Sequence, residues 1–228
     1  MVECSSGVAL TRSPVPRTLD HSGYWLVTAG GDLYPFGDTS FTRSSIGPVV
    51  ASTAGSAGVG LWAVRADGSV IQVGGVSWFG DAPMNDGESA VAIAATSTNM
   101  GYWVFTDRGR AVAFGDAEHL GDLAGIQLAG PIIAALSTPS GDGYYMVASD
   151  GGVFSFGDAP FLGSVPQILP GVQLAAPIVG MSPTPEGGGY WLVASDGGVF
   201  NFSNLAFDGS LGADPPDSPV IAVAPFSP

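Results

Sequence analysis

One phrase recurs along this chain, and it constrains the fold more than any other feature. Its fullest form is GYYMVASDGGVFSFGDAPFLGS, Gly143 to Ser164, and it returns as GYWLVASDGGVFNFSNLAFDGS, Gly189 to Ser210. Altered copies begin at Gly23, Gly60 and Gly101. Each copy reads as two short apolar strands joined at a tight turn. Gly31, Gly68, Gly109, Gly151 and Gly197 hold the same place in that turn. The expected geometry is a two-residue primed hairpin, which needs positive φ, with Asp67, Asp150 and Asp196 as the Asp of an Asp-Gly pair.

A third apolar run precedes each phrase: GVALTR (Gly7–Arg12), PVVAST (Pro48–Thr53), AVAIAAT (90–96), PIIAALS (131–137) and PIVGMS (177–182). From Pro48 to Leu61, Ser89 to Tyr102, Pro131 to Tyr144 and Pro177 to Tyr190 the distance is 13 positions each time. The first aromatic-strand positions fall at 24, 61, 102, 144 and 190, a period of 37 to 46. Units of that length carrying several strands are the signature of propeller blades rather than helical arrays. The strands are apolar on both faces, as in sheets covered on both sides. Asp86–Ala95 has some helical character, but its second half falls on a strand position in the other copies. No window of twelve residues carries a capped helical period.

The chain ends in PVIAVAPFSP, Pro219–Pro228, a sixth opening run with no phrase behind it. A closed ring uses that surplus strand in its first blade, and closure removes exposed sheet edges. The expectation is therefore all-β: one domain over 1–228, a five-bladed β-propeller with blades near 7–47, 48–88, 89–130, 131–176 and 177–218, closed by 219–228.

Composition excludes several functions. The net charge of −14 comes from 20 acidic and 6 basic residues, and repels nucleic acid and anionic lipid. No apolar run approaches the roughly 20 residues of a membrane helix, and no cationic segment followed by an apolar block opens the chain, so the expectation is a signal peptide absent or removed. Cys4 is the single cysteine, so an internal disulfide or zinc cluster is ruled out. His21 and His119 are the two histidines. Each adjoins an acidic residue, but sequence neighbours point different ways and do not make a dyad. Nucleophile-elbow, metalloprotease, P-loop and dinucleotide motifs are missing.

GYWLVASDGGVFNF with FGDA resembles a repeat common in secreted and surface proteins of actinobacteria. It is similar, more loosely, to the repeats of the regulator-of-chromosome-condensation propellers. Gly75 and Asn204 depart from the Asp of FGD, and Arg108 from the Asp before the turn glycine. The resemblance implies a propeller and a secreted or surface setting, on a cell envelope or virion. It implies little about activity, because propellers carry unrelated functions.

Three sets of residues are candidates for function. Asp38, Asp116 and Asp158 follow Phe-Gly once per copy, as a Ca²⁺ girdle or as caps on their own turns through backbone N–H groups; once-per-repeat placement favours capping. Trp25, Trp62, Trp103, Tyr145 and Trp191 form an aromatic column, for ligand stacking or for core packing between blades. Trp78, Phe79, His119 and Phe161 lie in the outer part of their blades, as exposed contacts. The expected function is a non-catalytic recognition or display module whose partner is carbohydrate or a protein surface, without a cofactor unless Ca²⁺ binds. The alternative is a polysaccharide hydrolase or lyase using acidic residues in the central pocket.

Overall fold

The computed structural model describes residues 23–37, 44–55, 59–184 and 188–221. Among the described residues fifteen strands form five three-stranded antiparallel sheets, taken in chain order. Sheet A holds β1 (Gly23–Val27), β2 (Asp32–Gly37) and β3 (Ser44–Ser45). Sheet B holds β4 (Ala51–Ala54), β5 (Gly60–Val64) and β6 (Val70–Gly74). Sheet C holds β7 (Ala90–Ala95), β8 (Gly101–Thr106) and β9 (Ala111–Gly115). Sheet D holds β10 (Ile132–Ser137), β11 (Gly143–Ala148) and β12 (Val153–Gly157). Sheet E holds β13 (Ile178–Pro183), β14 (Gly189–Ala194) and β15 (Val199–Ser203). One short helix, α1 (Val165–Ile168), follows sheet D. Asp86–Ala95 yields the strand β7, as its place in the repeat predicts, and no helix.

The hairpin turn departs from expectation. In sheet D, Gly151 N–H donates to Ala148 O at 2.9 Å, and Ala148 N–H donates to Gly152 O at 2.9 Å. Three residues, Ser149 to Gly151, therefore span the loop. Gly151 has φ +84°, and among the described residues Asn99 is the one non-glycine with positive φ. A primed two-residue turn would need positive φ one position earlier. The observed loop is a turn that ends in a left-handed glycine, the three-residue hairpin. The other four hairpins repeat it, with φ of +85°, +85°, +80° and +83° at Gly31, Gly68, Gly109 and Gly197.

The residue after that glycine needs an acceptor for its N–H, and two solutions occur. Asp67, Asp150 and Asp196 accept from Ser69, Gly152 and Gly198, each at 2.9 Å. Where the Asp is lacking, in sheets A and C, the hydroxyls of Thr28 and Thr106 accept from Asp32 and Arg110 at 3.0 and 3.1 Å.

The carbonyl of the turn glycine ties down the chain that follows. Gly31, Gly68, Gly109, Gly151 and Gly197 accept from Ile46, Ala82, Leu123, Val165 and Leu211 at 2.8–3.0 Å. Each segment so held runs along the outer edge of its sheet. Asp81 and Asp122 in these segments accept the N–H groups of Val70 and Ala111 at 2.7 and 3.3 Å. The outer edges are thus covered rather than left open to pairing.

Side chains alternate along β5, β8 and β11, so sheets B, C and D each pack on both neighbours. In β8, Tyr102 and Val104 meet sheet B, while Trp103 and Phe105 meet sheet D. Four such cores join A to B, B to C, C to D and D to E. Two aromatic columns lock them. The Nε1–H groups of Trp62 and Trp103 donate to Ser77 O and Glu118 O, both at 2.7 Å, and Tyr145 Oη–H to Pro160 O at 3.2 Å. Each partner lies 15 residues downstream in the same sheet's outer segment. The tyrosine column reaches backward instead. Tyr102 donates to Gly80 O at 2.7 Å, Tyr190 to Gly163 O at 2.6 Å, and Tyr144 to Gly121 O. Each tyrosine therefore fastens the outer segment of the preceding sheet. Burial pushes Tyr144 up to about 12, so it stays a neutral donor. Tyr190→Phe is expected to lower unfolding free energy by about 1 kcal/mol, since Gly163 O loses its donor; denaturant titration measures it, and no change would show the bond to be energetically idle.

The ends of the stack differ from its interior. Leu26 is 55% exposed, whereas Ala63, Val104, Met146 and Leu192, at the same strand position, are 0% exposed. Leu211 is 52% exposed, whereas Ala82, Leu123 and Val165 are 2%, 4% and 1%. Sheet A is thus open at Leu26 on its outward face and the outer segment after sheet E is open at Leu211, whereas Val193, on the face that sheet E turns outward, is 3% exposed. Gly7–Arg12 and 222–228 lie outside the described residues. The chain just before the latter does have a definite place. Val220 N–H donates to Ser195 O at 2.9 Å, the bond that Val49, Ala90, Ile132 and Ile178 make to Ala29, Ala66, Asp107 and Ser149.

Candidate functional site

The Asp column braces loops. Asp116 Oδ1 and Oδ2 accept the hydroxyls of Thr96 and Thr98 at 2.9 and 2.5 Å. Asp158 accepts Thr138 and Ser140 at 2.8 and 2.6 Å. The Ser140 hydroxyl, and then that of Thr138, hold the Asp158 carboxyl below the usual carboxylate range. The main partners are thus hydroxyls on the loop between first and second strands, and at Asp158 the backbone N–H of the residue itself adds a smaller contribution. Threonine precedes Asp by 20 positions in both sheets, Thr184 precedes Asn204 by the same distance, and sheet B has glycine at both places, Gly55 and Gly75. Asp38 lies outside the described residues, as do Cys4 and His21. Among the described residues no three His, Cys, Asp or Glu side chains gather as a ligand set.

The aromatic column divides. Trp62 and Trp103 are buried in the cores between sheets and offer no ring face to a ligand. Tyr145 is half-buried, its ring 5.5 Å from that of Tyr190. Trp191 and Trp25 are also half-buried, Trp25 against the core between sheets A and B. Of the outer residues, Phe79 packs on Tyr102 with ring centroids 5.7 Å apart. Trp78, His119 and Phe161 are exposed, Trp78 with Nε1 3.4 Å from Asp81 Oδ1. A fourth residue, Phe207, belongs with them at the same repeat position and was not expected from sequence. The four stand once per sheet, in sheets B to E, on the outer segments.

Hollows lined by described residues accompany these surfaces. The first strands β4, β7 and β10, with Pro183 of β13, line a cavity of about 380 Å³. Its walls are Ala, Val, Ile, Leu, Ser, Thr and Pro, with no carboxylate. On the turn side, a cavity of about 720 Å³ lies between sheets C and D, and one of about 630 Å³ between D and E.

The larger of these holds the one ion pair among the described residues. Arg110 Nε lies 2.8 Å from Glu88 Oε1, with the Glu88 side chain 0% exposed. Arg110 Nη2 donates to Pro83 O at 2.6 Å, and Asn85 N–H donates to Glu88 Oε2 at 2.9 Å. Burial alone would raise the Glu88 carboxyl. Hydrogen bonds from Arg110, Thr106 and the Asn85 backbone outweigh that and bring it from 4.5 to about 2. Sequence reasoning missed this pair, because Glu88 lies in the linker between repeats and its partner is 22 residues away.

No protein-family model matches the chain, and no curated protein is similar to it. Among solved structures it is similar to the β-propeller domain of Cps50 (Swd1) from Myceliophteria thermophila. The two are 12% identical with a TM-score of 0.49, over 77% of this chain and 63% of that one. The chain thus spans less than two thirds of that structure's length.

Proposed function

We propose that this chain is a non-catalytic recognition module that binds carbohydrate, in an extracellular or particle-surface setting. The observation that carries the reading is the set of aromatic side chains left in solvent at one repeat position, with Trp78 at 52%, Phe161 at 50% and Phe207 at 57% exposed. Aromatic rings are ordinarily buried for their area. Repeated exposure at one register marks a contact surface, and flat rings suit sugar faces. The alternative, a polysaccharide hydrolase or lyase, asks for an acidic pair in the central hollow, and the lining there has none. A glycan array beside a chromogenic hydrolysis panel separates the readings. Binding without turnover, weakened about tenfold or more by Trp78→Ala with Phe161→Ala, is the expected result. Turnover lost on changing one Asp or Glu would favour the enzyme. A protein partner that competes for the same aromatics, with every glycan silent, would overturn carbohydrate as the ligand.

The same proposal includes a ring of five sheets closed by 219–228. Two observations support it. The face that sheet E turns outward is of the kind that meets the next sheet at all four interfaces, and the outward face of sheet A is of the kind that receives it. In the chain leaving sheet E, Val220 makes the bond that Val49, Ala90, Ile132 and Ile178 make at β4, β7, β10 and β13.

A further inference from the structure

In a chain of repeats, what the copies share describes the fold. Residues that one copy holds alone need another explanation. Sheet C has three charged residues at positions where other sheets have none, or the opposite charge. Glu88 corresponds to Gly47, Gly130 and Ala176. Arg110 corresponds to Asp32, Ser69, Gly152 and Gly198, and Arg108 to Gly30, Asp67, Asp150 and Asp196. All three line the 720 Å³ cavity between sheets C and D.

The fold does not require them. The turn is capped by Thr106, which accepts the N–H that Asp caps elsewhere, so position 108 is released from its local task. A buried ion pair is weak evidence of added stability, because two charges must leave water. Among the described residues the other four sheets form without one. Glu88 does, however, hold the Arg110 guanidinium in one place, and Arg110 also ties to Pro83 O. Arg108 is exposed and held by a single bond, Nη2 to Gly87 O at 2.9 Å. A guanidinium has five N–H donors in a planar fork, so donors remain for a ligand. The equivalent cavity between D and E has Asp150 in the place of Arg108 and no basic side chain in its lining. Asp107 also lines the C–D cavity, with its Oδ1 taken by Ser89 N–H at 3.0 Å.

We propose that the cavity between sheets C and D is a binding site for a small organic carboxylate, with the Arg108 guanidinium as its direct partner and Glu88–Arg110 as the support behind it. The volume lies within the roughly 300–1,000 Å³ of small-molecule sites. The lining supplies an apolar wall from Ile126, Leu128 and Pro131 for the body of the ligand. A guanidinium fork matches a carboxylate with two parallel hydrogen bonds. In a protein of net charge −14, such a site is distinctive. The inference goes beyond the aromatic surface and does not depend on it.

The test is a titration of the full chain with glucuronate, benzoate, glucose and inorganic phosphate, followed by the amide and Arg Nε–H signals of an NMR spectrum. The site predicts saturable shifts at Arg108 and at 124–131 with at least one of the two carboxylates and none with glucose. Arg108→Asp restores the residue that three sister turns contain, so folding is retained. It is expected to weaken carboxylate binding about tenfold or more. Shifts that are equal for glucose and glucuronate, that survive Arg108→Asp, or that are absent with both carboxylates would each overturn the proposal. Phosphate binding without carboxylate binding would overturn it too, by making the site a general anion trap.

Discussion

Gly151→Ala is expected to destabilise the protein by about 3 kcal/mol, lowering the melting temperature by about 10 °C. Two causes add. At φ +84° an alanine enters the left-handed region at a cost of about 1–2 kcal/mol. A Cβ built there would also lie 2.6 Å from Val165 Cβ and Cγ2, a distance that real side chains do not tolerate. Val165 cannot retreat, because its N–H is the group that Gly151 O accepts at 3.0 Å. Gly171→Ala is the control. Its φ is +74°, yet nothing lies within 4 Å of the added carbon, so only the conformational cost should remain. Calorimetry on the two variants separates the effects. Equal losses would mean that close packing of the outer segment on the turn adds nothing.

Arg110→Met should lower stability at neutral pH by about 3–5 kcal/mol, because it leaves the Glu88 carboxylate buried without its counter-charge. The pH dependence is the sharper readout. In the wild type the folded-state value of Glu88, about 2, lies below its ordinary 4.5. A depressed carboxylate stabilises above its unfolded value and stops doing so as pH falls through the folded one. About 3 kcal/mol should therefore disappear between pH 4.5 and 2. In Arg110→Met the sign reverses. Burial then raises the carboxyl, so acid protonates it and the penalty shrinks as pH falls. Parallel pH profiles for the two proteins would show the arginine to be a bystander. Replacing both residues by glycine, which Gly130 and Gly152 contribute in sheet D, is expected to recover most of the loss.

The strands and their order were legible because two signals agree in the sequence, short apolar runs at a fixed spacing and a glycine at one place per copy. The strands β1, β5, β8, β11 and β14 fall where Tyr24, Leu61, Tyr102, Tyr144 and Tyr190 predict. The turn type was misjudged because Asp-Gly-Gly permits both a two-residue and a three-residue loop. The negative φ of Ser149 and Asp150 decides, and composition does not encode it. The Asp brace was visible in hindsight as a fixed spacing, Thr96 to Asp116 and Thr138 to Asp158, with both members lost together at Gly55 and Gly75. A backbone cap was the nearer guess because Asp so often bonds its own turn. The tyrosine fasteners and the Glu88–Arg110 pair were out of reach. Their partners lie 22 to 27 residues away in another sheet's outer segment or in a linker, and meet only after the sheets stack. Phe207 could have been found by extending the column of Trp78, His119 and Phe161 by one more copy.

Removing Pro219–Pro228 and measuring the melting temperature and mass of the remaining chain bears on the ring itself. If those residues supply the missing strand beside β1, the truncated protein should melt on the order of 10 °C lower, having lost a strand's backbone bonds and its apolar cover, and its open end faces should drive it to associate. A truncated chain that melts with the intact one and stays monomeric would contradict closure by the tail.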